Sequence, residues 1–230
     1  MPVGLGIWFP PTYVGARDLR PTPFSAPRSL SLTETPSVSE SKAHHRALAL
    51  ARRRRLTPEA RETFARRLVE EGLKLAGLWR PRVVSAFHPI HGEPNTLPLL
   101  AALAEAGFAT ALPVTVSRSA PLTFRLWKPG EPTVPGELNI PEPAPDAPAV
   151  EPDLLFTPLA AFDRRGHRIG FGAGHYDRTL ALLRAKGPVH AIGVAFSVSE
   201  IDHAPDEPHD QPLDGIITER ELIFPQGAAR

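Results

Sequence analysis

The stretch "RRGHRIGFGAGHYDR" at positions 164–178 sets three alternate glycines, Gly170, Gly172 and Gly174, between arginines and a closing Tyr176-Asp177-Arg178. Residues without a Cβ let a backbone approach a ligand closely and adopt positive φ. Successive free N–H groups at a helix start form an anion site, for which phosphate is the natural guest. The spacing departs from two familiar phosphate loops: His175 stands where a dinucleotide fingerprint needs its third glycine, and no Gly-Lys-Ser/Thr follows as a P-loop requires. Glycines alone are equally compatible with a tight turn. The charged neighbours point further, since Arg168 precedes the glycines, Asp177 follows them, and "PHD" at 208–210 brings Asp210 from a second loop. Two carboxylates, guanidinium groups and a phosphate cradle on one sheet edge make a magnesium-nucleotide site, in which carboxylate and phosphate oxygens share the metal. In the plainer reading of the same residues, Asp177 pairs with Arg178 and Asp210 closes a turn.

Such a loop needs elements to hold it. "KAHHRALALARRRR" from Lys42 reads as helix, and Thr57-Pro58 supplies an N-cap and first-turn proline for a second helix ending near Gly77. Lys42 and Arg46 lie one turn apart on one face, to which Arg53 returns. "RVVSAF" (82–87) is a strand, followed by the polar loop "HPIHGEPN", a helix from Thr96 to about Ala106, and a strand at 109–114. This βαβ unit implies a parallel sheet. "LTFRLW" (122–127) alternates like an edge strand, and residues 129–152, with eight prolines, read as a long surface loop. Strands at 153–158 and 189–196 flank the glycine loop and a helix at 176–186, and "GIITE" (215–219) is the last strand. The expected fold is α/β: a single-domain open, mostly parallel sheet with helices on both faces, a Rossmann-like three-layer arrangement. Ligands then bind beyond the carboxyl ends of the strands, where the glycine loop falls.

Composition narrows the function classes. With 230 residues, 42% hydrophobic, the chain supports one core of ordinary size, and zero cysteines excludes disulfides, thiolate metal sites and a cysteine nucleophile. Net charge is +1, but residues 42–80 hold eleven Lys/Arg against four Glu, while 81–230 hold twelve against eighteen Asp/Glu. The run Arg52–Arg55 has no interleaved aromatics and reads as a solvated helix face or a local anion site; no nucleic-acid partner is expected. No stretch reaches the roughly 18 to 20 apolar residues of a membrane span. A soluble, cytoplasmic monomer is expected. Residues 1–41, with seven prolines and no sustained period, read as a disordered extension to a catalytic domain at 42–230. The loop histidines, His88, His91, His203 and His209, lack the helical spacing of a zinc hydrolase.

Five motifs in order carry a family resemblance. "FTPLAAFDRRGHRIGFGAGHYDRTL" (156–180) resembles the signature of 5-formyltetrahydrofolate cyclo-ligases, also called 5,10-methenyltetrahydrofolate synthetases. "KAHHRALALARRRRLTPEAR" (42–61) is similar to the basic first helix of that family, "GEPNT" (92–96) to its glutamate loop, "NIPEP" (139–143) to its Pro-rich turn, and "EPHDQPLDGIITE" (207–219) to its closing motif. The resemblance implies conversion of 5-formyltetrahydrofolate to 5,10-methenyltetrahydrofolate with ATP and Mg2+, releasing ADP and phosphate. It implies that Lys42, Arg46 and Arg168 act on phosphates and that Arg168, Ile169, Gly170, Phe171, Gly172, Ala173, Gly174, His175 and Tyr176 form the nucleotide loop. It implies further that Glu93 contacts folate, with His88 nearby, and that Asp177 and Asp210 are Mg2+ ligands. Phe171, Ala173 and His175 replace the family's usual Tyr, Gly and Tyr, and Ser199 stands where Gln is frequent. Ala173 matters only if its φ is positive, at roughly 1–2 kcal/mol. The reading from another class is a nucleotide- or sugar-phosphate-binding module without cyclo-ligase activity.

Overall fold

The computed structural model describes residues 37–225 except position 138. Helix α1 (Val38–Arg53) begins four residues before Lys42, because Ser37 and Glu40 form a capping box: each side chain accepts from the other's backbone N–H. The extension expected at 1–41 therefore ends in helix, and its first 36 positions lie outside the described residues. Thr57 caps α2 (Pro58–Trp79) through Ala60 N–H, with Pro58 in the first turn.

The βαβ unit is β1 (Val83–Ser85), α3 (Leu97–Glu105) and β2 (Ala109–Val114), with β1 and β2 parallel and Val83 opposite Ala109. β3 (Thr123–Leu126) pairs antiparallel with β2 but is not an edge. The Pro-rich segment contains three short strands: β4 (Thr133–Pro135) pairs with β5 (Pro141–Pro143), and β6 (Ala149–Val150) covers β3. Proline costs little in two- and three-residue strands at a margin, where few ladder bonds are lost. β7 (Leu154–Pro158) leads into a hairpin, β8 (Ala161–Phe162) and β9 (Arg168–Ile169), followed by α4 (His175–Arg184), β10 (His190–Val194), β11 (Gly215–Ile217) and a further antiparallel strand, β12 (Leu222–Ile223).

The main sheet runs β12-β11-β10-β7-β1-β2-β3-β6, with a parallel centre and antiparallel margins. Alternate residues of its central strands face opposite layers. Leu154, Phe156, Ile192 and Val194 pack with Phe64 and Leu68 of α2 and Leu99 and Leu103 of α3, while Leu155, Ala191 and Ile216 pack with Leu180 and Leu183 of α4. Helices thus cover both faces. The chain leaves β1 toward β2 on one side and returns to place β7 on the other, so strand order reverses between β1 and β7, the position where such sheets bind ligands. Among the described residues no helix is long and apolar enough to cross a membrane.

Candidate active site

At this reversal a cavity of about 190 Å³ opens. The loop after β1 contributes Phe87, His88, Ile90 and Glu93, the end of β2 contributes Pro113 and Thr115, the β4–β5 turn contributes Ile140, and the glycine segment contributes Arg168, Gly170, Phe171 and Ala173 through Asp177.

The β8–β9 hairpin presents the glycine segment rigidly. Asp163, fully buried, accepts from the backbone N–H groups of Arg165, His167 and Ala204 at 3.0, 3.1 and 3.0 Å, closing the turn that delivers Arg168. The turn needs Gly166, whose φ is +87°. Sequence reasoning passed over Asp163, although its spacing to Gly166 is a turn signal. Arg168 is 8% exposed, and its guanidinium donates to Asp177 Oδ1 at 2.7 Å and to the carbonyl of Gln211. Burial works against the charge of Arg168; Asp177 and Asp210 oppose that effect. Asp177 therefore pairs with Arg168 rather than Arg178, which donates to the carbonyls of Ala173 at 2.7 Å and Arg118 at 3.2 Å and so clamps the glycine loop from behind.

Gly172 and Gly174 have φ of +100° and +65°, but Ala173 is not among the positive-φ residues, so its methyl carries no left-handed strain. Gly174 is the N-cap of α4 and supplies no side-chain hydrogen bond, which leaves the first N–H groups of the helix for a ligand. The Ile169 side chain is buried against Ala49, Ala161 and Ala204, making it a packing residue and not a lining one. His175 donates through Nδ1 to the carbonyl of Ala120 at 3.0 Å, the only role open to a nitrogen facing a carbonyl.

Helix α1 brings its basic face against this segment. Arg46 Nε donates to the carbonyl of Gly170 at 2.6 Å, and Lys42 Nζ reaches Asp210 Oδ2 at 2.6 Å and Glu207 Oε2 at 2.9 Å. Burial disfavours the charge of Lys42, but its bonds to Asp210 and Glu207 outweigh that and raise its pKa. Asp210 does close a turn, accepting from Glu207 N–H at 2.9 Å, and takes Lys42 as well. Of the run Arg52–Arg55, Arg52, Arg54 and Arg55 are exposed, as a solvated face requires, but Arg53 departs from that reading: it is 3% exposed, donates to the His91 carbonyl at 3.2 Å and lies 5.8 Å from the Phe171 ring centroid. Together with Arg61, which donates to the Gly92 carbonyl at 2.7 Å, it holds the loop that carries Glu93.

Glu93 accepts from Ile90 N–H at 2.9 Å, and burial pushes its carboxyl up to about 7, against that bond and the charge of Arg53. It can therefore donate or accept a hydrogen bond near neutral pH. Burial lowers the pKa of His88, whose buried Nδ1 has no hydrogen-bond partner among the described residues, and raises that of Tyr176. Ser199 is 1% exposed in a 3-10 turn at Ser197–Ser199 and does not line the cavity, so its departure from the family pattern leaves that wall intact.

For a divalent cation the donors are oxygen atoms of suitable charge. Asp177 and Asp210 each commit one oxygen to a cation, Arg168 or Lys42, and each keeps a second oxygen without a hydrogen bond among the described residues. Ligand atoms of Glu207, His209 and Asp210 come within 4.8 Å of one another; Asp177 stands outside that group, joined to it through Arg168 and the Gln211 N–H at 3.1 Å. Carboxylates that each offer one oxygen suit a hard ion that retains most of its water.

Comparison with known proteins identifies the family. Residues 38–219 match the profile of the 5-formyltetrahydrofolate cyclo-ligase family. The 5-formyltetrahydrofolate cyclo-ligase of Mycolicibacterium smegmatis is 37% identical over 186 residues, covering 76% of this chain and 92% of that protein. The Escherichia coli K12 protein of the same name is 34% identical over 172 residues, covering 73% and 94%. In fold, the chain is similar to the 5,10-methenyltetrahydrofolate synthetase of Aquifex aeolicus, with a TM-score of 0.69 at 24% identity over 82% of this chain and 95% of the other. A cavity at the strand reversal, framed by a basic helix, a buried glutamate and a glycine loop, accompanies matching sequence from the first helix almost to the last strand, and the chain belongs to the 5-formyltetrahydrofolate cyclo-ligase family.

Proposed function

We propose that the protein closes 5-formyltetrahydrofolate to 5,10-methenyltetrahydrofolate with consumption of ATP, in the presence of Mg2+, releasing ADP and phosphate. The observation that carries this reading is that the glycine loop and the Glu93 loop line one cavity, with Arg46 and Arg53 of α1 bonded to the backbone of these two loops. A formamide oxygen is a very poor leaving group; ATP supplies the phosphoryl group that turns it into phosphate. N10 of the folate then bonds to the formyl carbon, the carbon–oxygen bond breaks, and the proton lost from N10 ends on the departing phosphate. The demands on the protein are orientation and charge stabilisation, with no side-chain nucleophile.

Each residue takes a role suited to its surroundings. Lys42 and Arg46 approach the phosphates from α1, Arg168 adds buried positive charge, and the backbone from Gly170 to Tyr176 with the open start of α4 cradles phosphate oxygens. Asp177 and Asp210, through the oxygens they keep free of hydrogen bonds among the described residues, would hold Mg2+, which would neutralise phosphate charge. Glu93 receives the polar edge of the pterin, and the apolar wall around Phe87 and Ile140, with His88, excludes water from the ring. Working as a cytoplasmic monomer belongs to the same proposal.

The test is direct. Purified protein mixed with 5-formyltetrahydrofolate, ATP and Mg2+ should develop the near-ultraviolet chromophore of the methenyl product, and omission of either ATP or Mg2+ should abolish it. Binding of nucleotide and folate without chromophore would favour a binding module instead.

A further inference from the structure

We infer that Glu142 is a positioning residue that sets the folate wall of the cavity without touching the ligand, an inference that rests on the proposed substrate. Glu142 is the centre of β5, where Pro141 and Pro143 flank it, and is only 7% exposed. A carboxylate so placed is costly unless it is used. Its Oε1 accepts from Thr115 N–H at 2.9 Å, immediately beyond the carboxyl end of β2. That bond fastens the β4–β5 hairpin to the central sheet.

Gly136 shows how closely the carboxylate is enclosed. A Cβ there would lie 2.1 Å from the Glu142 carboxyl carbon and 2.2 Å from Oε1, so any side chain at 136 must displace Glu142. Backbone bonds hold Gly136 in place: its N–H donates to the carbonyl of Ile140, and Asn139 N–H donates to the carbonyl of Gly136, both at 2.9 Å. The residues fixed by this arrangement, Thr115 and Ile140, both line the cavity, whereas Glu142 does not. Thr115 and Ile140 share the cavity with Phe87 and Glu93, to which the proposed function gives the folate, and they come from the end of β2 and the β4–β5 turn, apart in sequence from the glycine segment given to the phosphates. On that division the wall they form belongs to the folate side.

Three variants test the idea: Glu142→Ala, Glu142→Gln, whose amide oxygen still accepts from Thr115 N–H, and Gly136→Ala, which disturbs the pair from the other side. Hydrogen exchange at the Thr115 amide and equilibrium binding of 5-formyltetrahydrofolate are read first, since neither needs turnover. Glu142→Ala and Gly136→Ala should lose protection at Thr115 and bind folate about tenfold more weakly, the effect of one lost hydrogen bond. Glu142→Gln should retain both. In steady state the change should fall on KM for folate, with KM for ATP and kcat within about twofold. Unchanged Thr115 exchange in Glu142→Ala overturns the inference. So does equal weakening of ATP and folate, or failure of Glu142→Gln to restore affinity, which would mean that the charge acts on the ligand directly. A protein that binds folate as described yet forms no methenyl product would count against the proposed reaction and leave the role of Glu142 in place.

Discussion

Replacing Glu93 with Gln should stabilise the protein at pH 8 while impairing it. Burial holds the Glu93 carboxyl at about 7 in the folded chain against an ordinary 4.5. At about 1.4 kcal/mol per pH unit, the ionised form costs the fold about 3 kcal/mol. Because the folded pKa is the higher one, the folded state keeps the proton longer than the unfolded state. The side chain therefore imposes no ionisation penalty below about pH 4.5, an increasing one between about 4.5 and 7, and a constant one above. Gln is isosteric and its oxygen can still accept from Ile90 N–H, so at low pH it resembles the protonated acid. Urea unfolding of both proteins from pH 4.5 to 8.5 should show the stability difference shifting in favour of the variant by about 3 kcal/mol, most of it between pH 5 and 7. Loss of the Arg53 partner charge offsets part of the absolute gain at high pH, so the pH-dependent part of the difference is the quantity to read. Binding of 5-formyltetrahydrofolate should weaken in the same variant, as expected where function holds a carboxyl in an unfavourable place. A stability difference flat across this range, or one moving against the variant as pH rises, would falsify the claim that burial controls Glu93.

Further outcomes follow from the site. Asp177→Asn should lower turnover by about 100-fold while costing about 1–3 kcal/mol of stability, since the amide oxygen still accepts from Arg168 and Gln211 N–H; intact turnover with the same stability loss would make Asp177 purely structural. Arg168→Met should lower stability by about 3–5 kcal/mol in thermal or urea unfolding, because it leaves Asp177 without its buried partner. Gly174→Ala should cost about 1–2 kcal/mol, with φ at +65° and a Cβ only 2.9 Å from Arg178 Nη1, whereas Gly170→Ala, with no positive φ and open space around it, should leave the unfolding midpoint unchanged.

The central layers of the fold were legible because hydrophobic period and helix punctuation agree there: β2 occupies its expected residues 109–114, and Thr57-Pro58 starts α2. The margins were not. β6 is two residues long in a Pro-rich stretch, too short for any period to register, and its pairing turns β3 from an edge strand into an inner one. β12 was missed for the same reason, whereas the start of α1 was written in Ser37 and Glu40 and went unread as a capping box. At the site, residue types were readable and partnerships were not. Lys42 meets Asp210 across 168 positions, and only the sheet order brings them together. Arg53 and Glu142 act through backbone groups of distant loops, as Asp163 does toward Ala204, and such bonds leave no pattern along the chain, whereas the local turn that Asp163 closes with Gly166 was readable.

In the proposed reaction each ring closure in this cavity consumes one phosphoryl group of ATP. Simultaneous measurement of ADP and methenyl product over a single turnover, with the protein in excess over 5-formyltetrahydrofolate, tests it most directly. One ADP for each methenyl group formed is the expected result. Methenyl product without ADP, or steady ATP consumption without methenyl product, would contradict it.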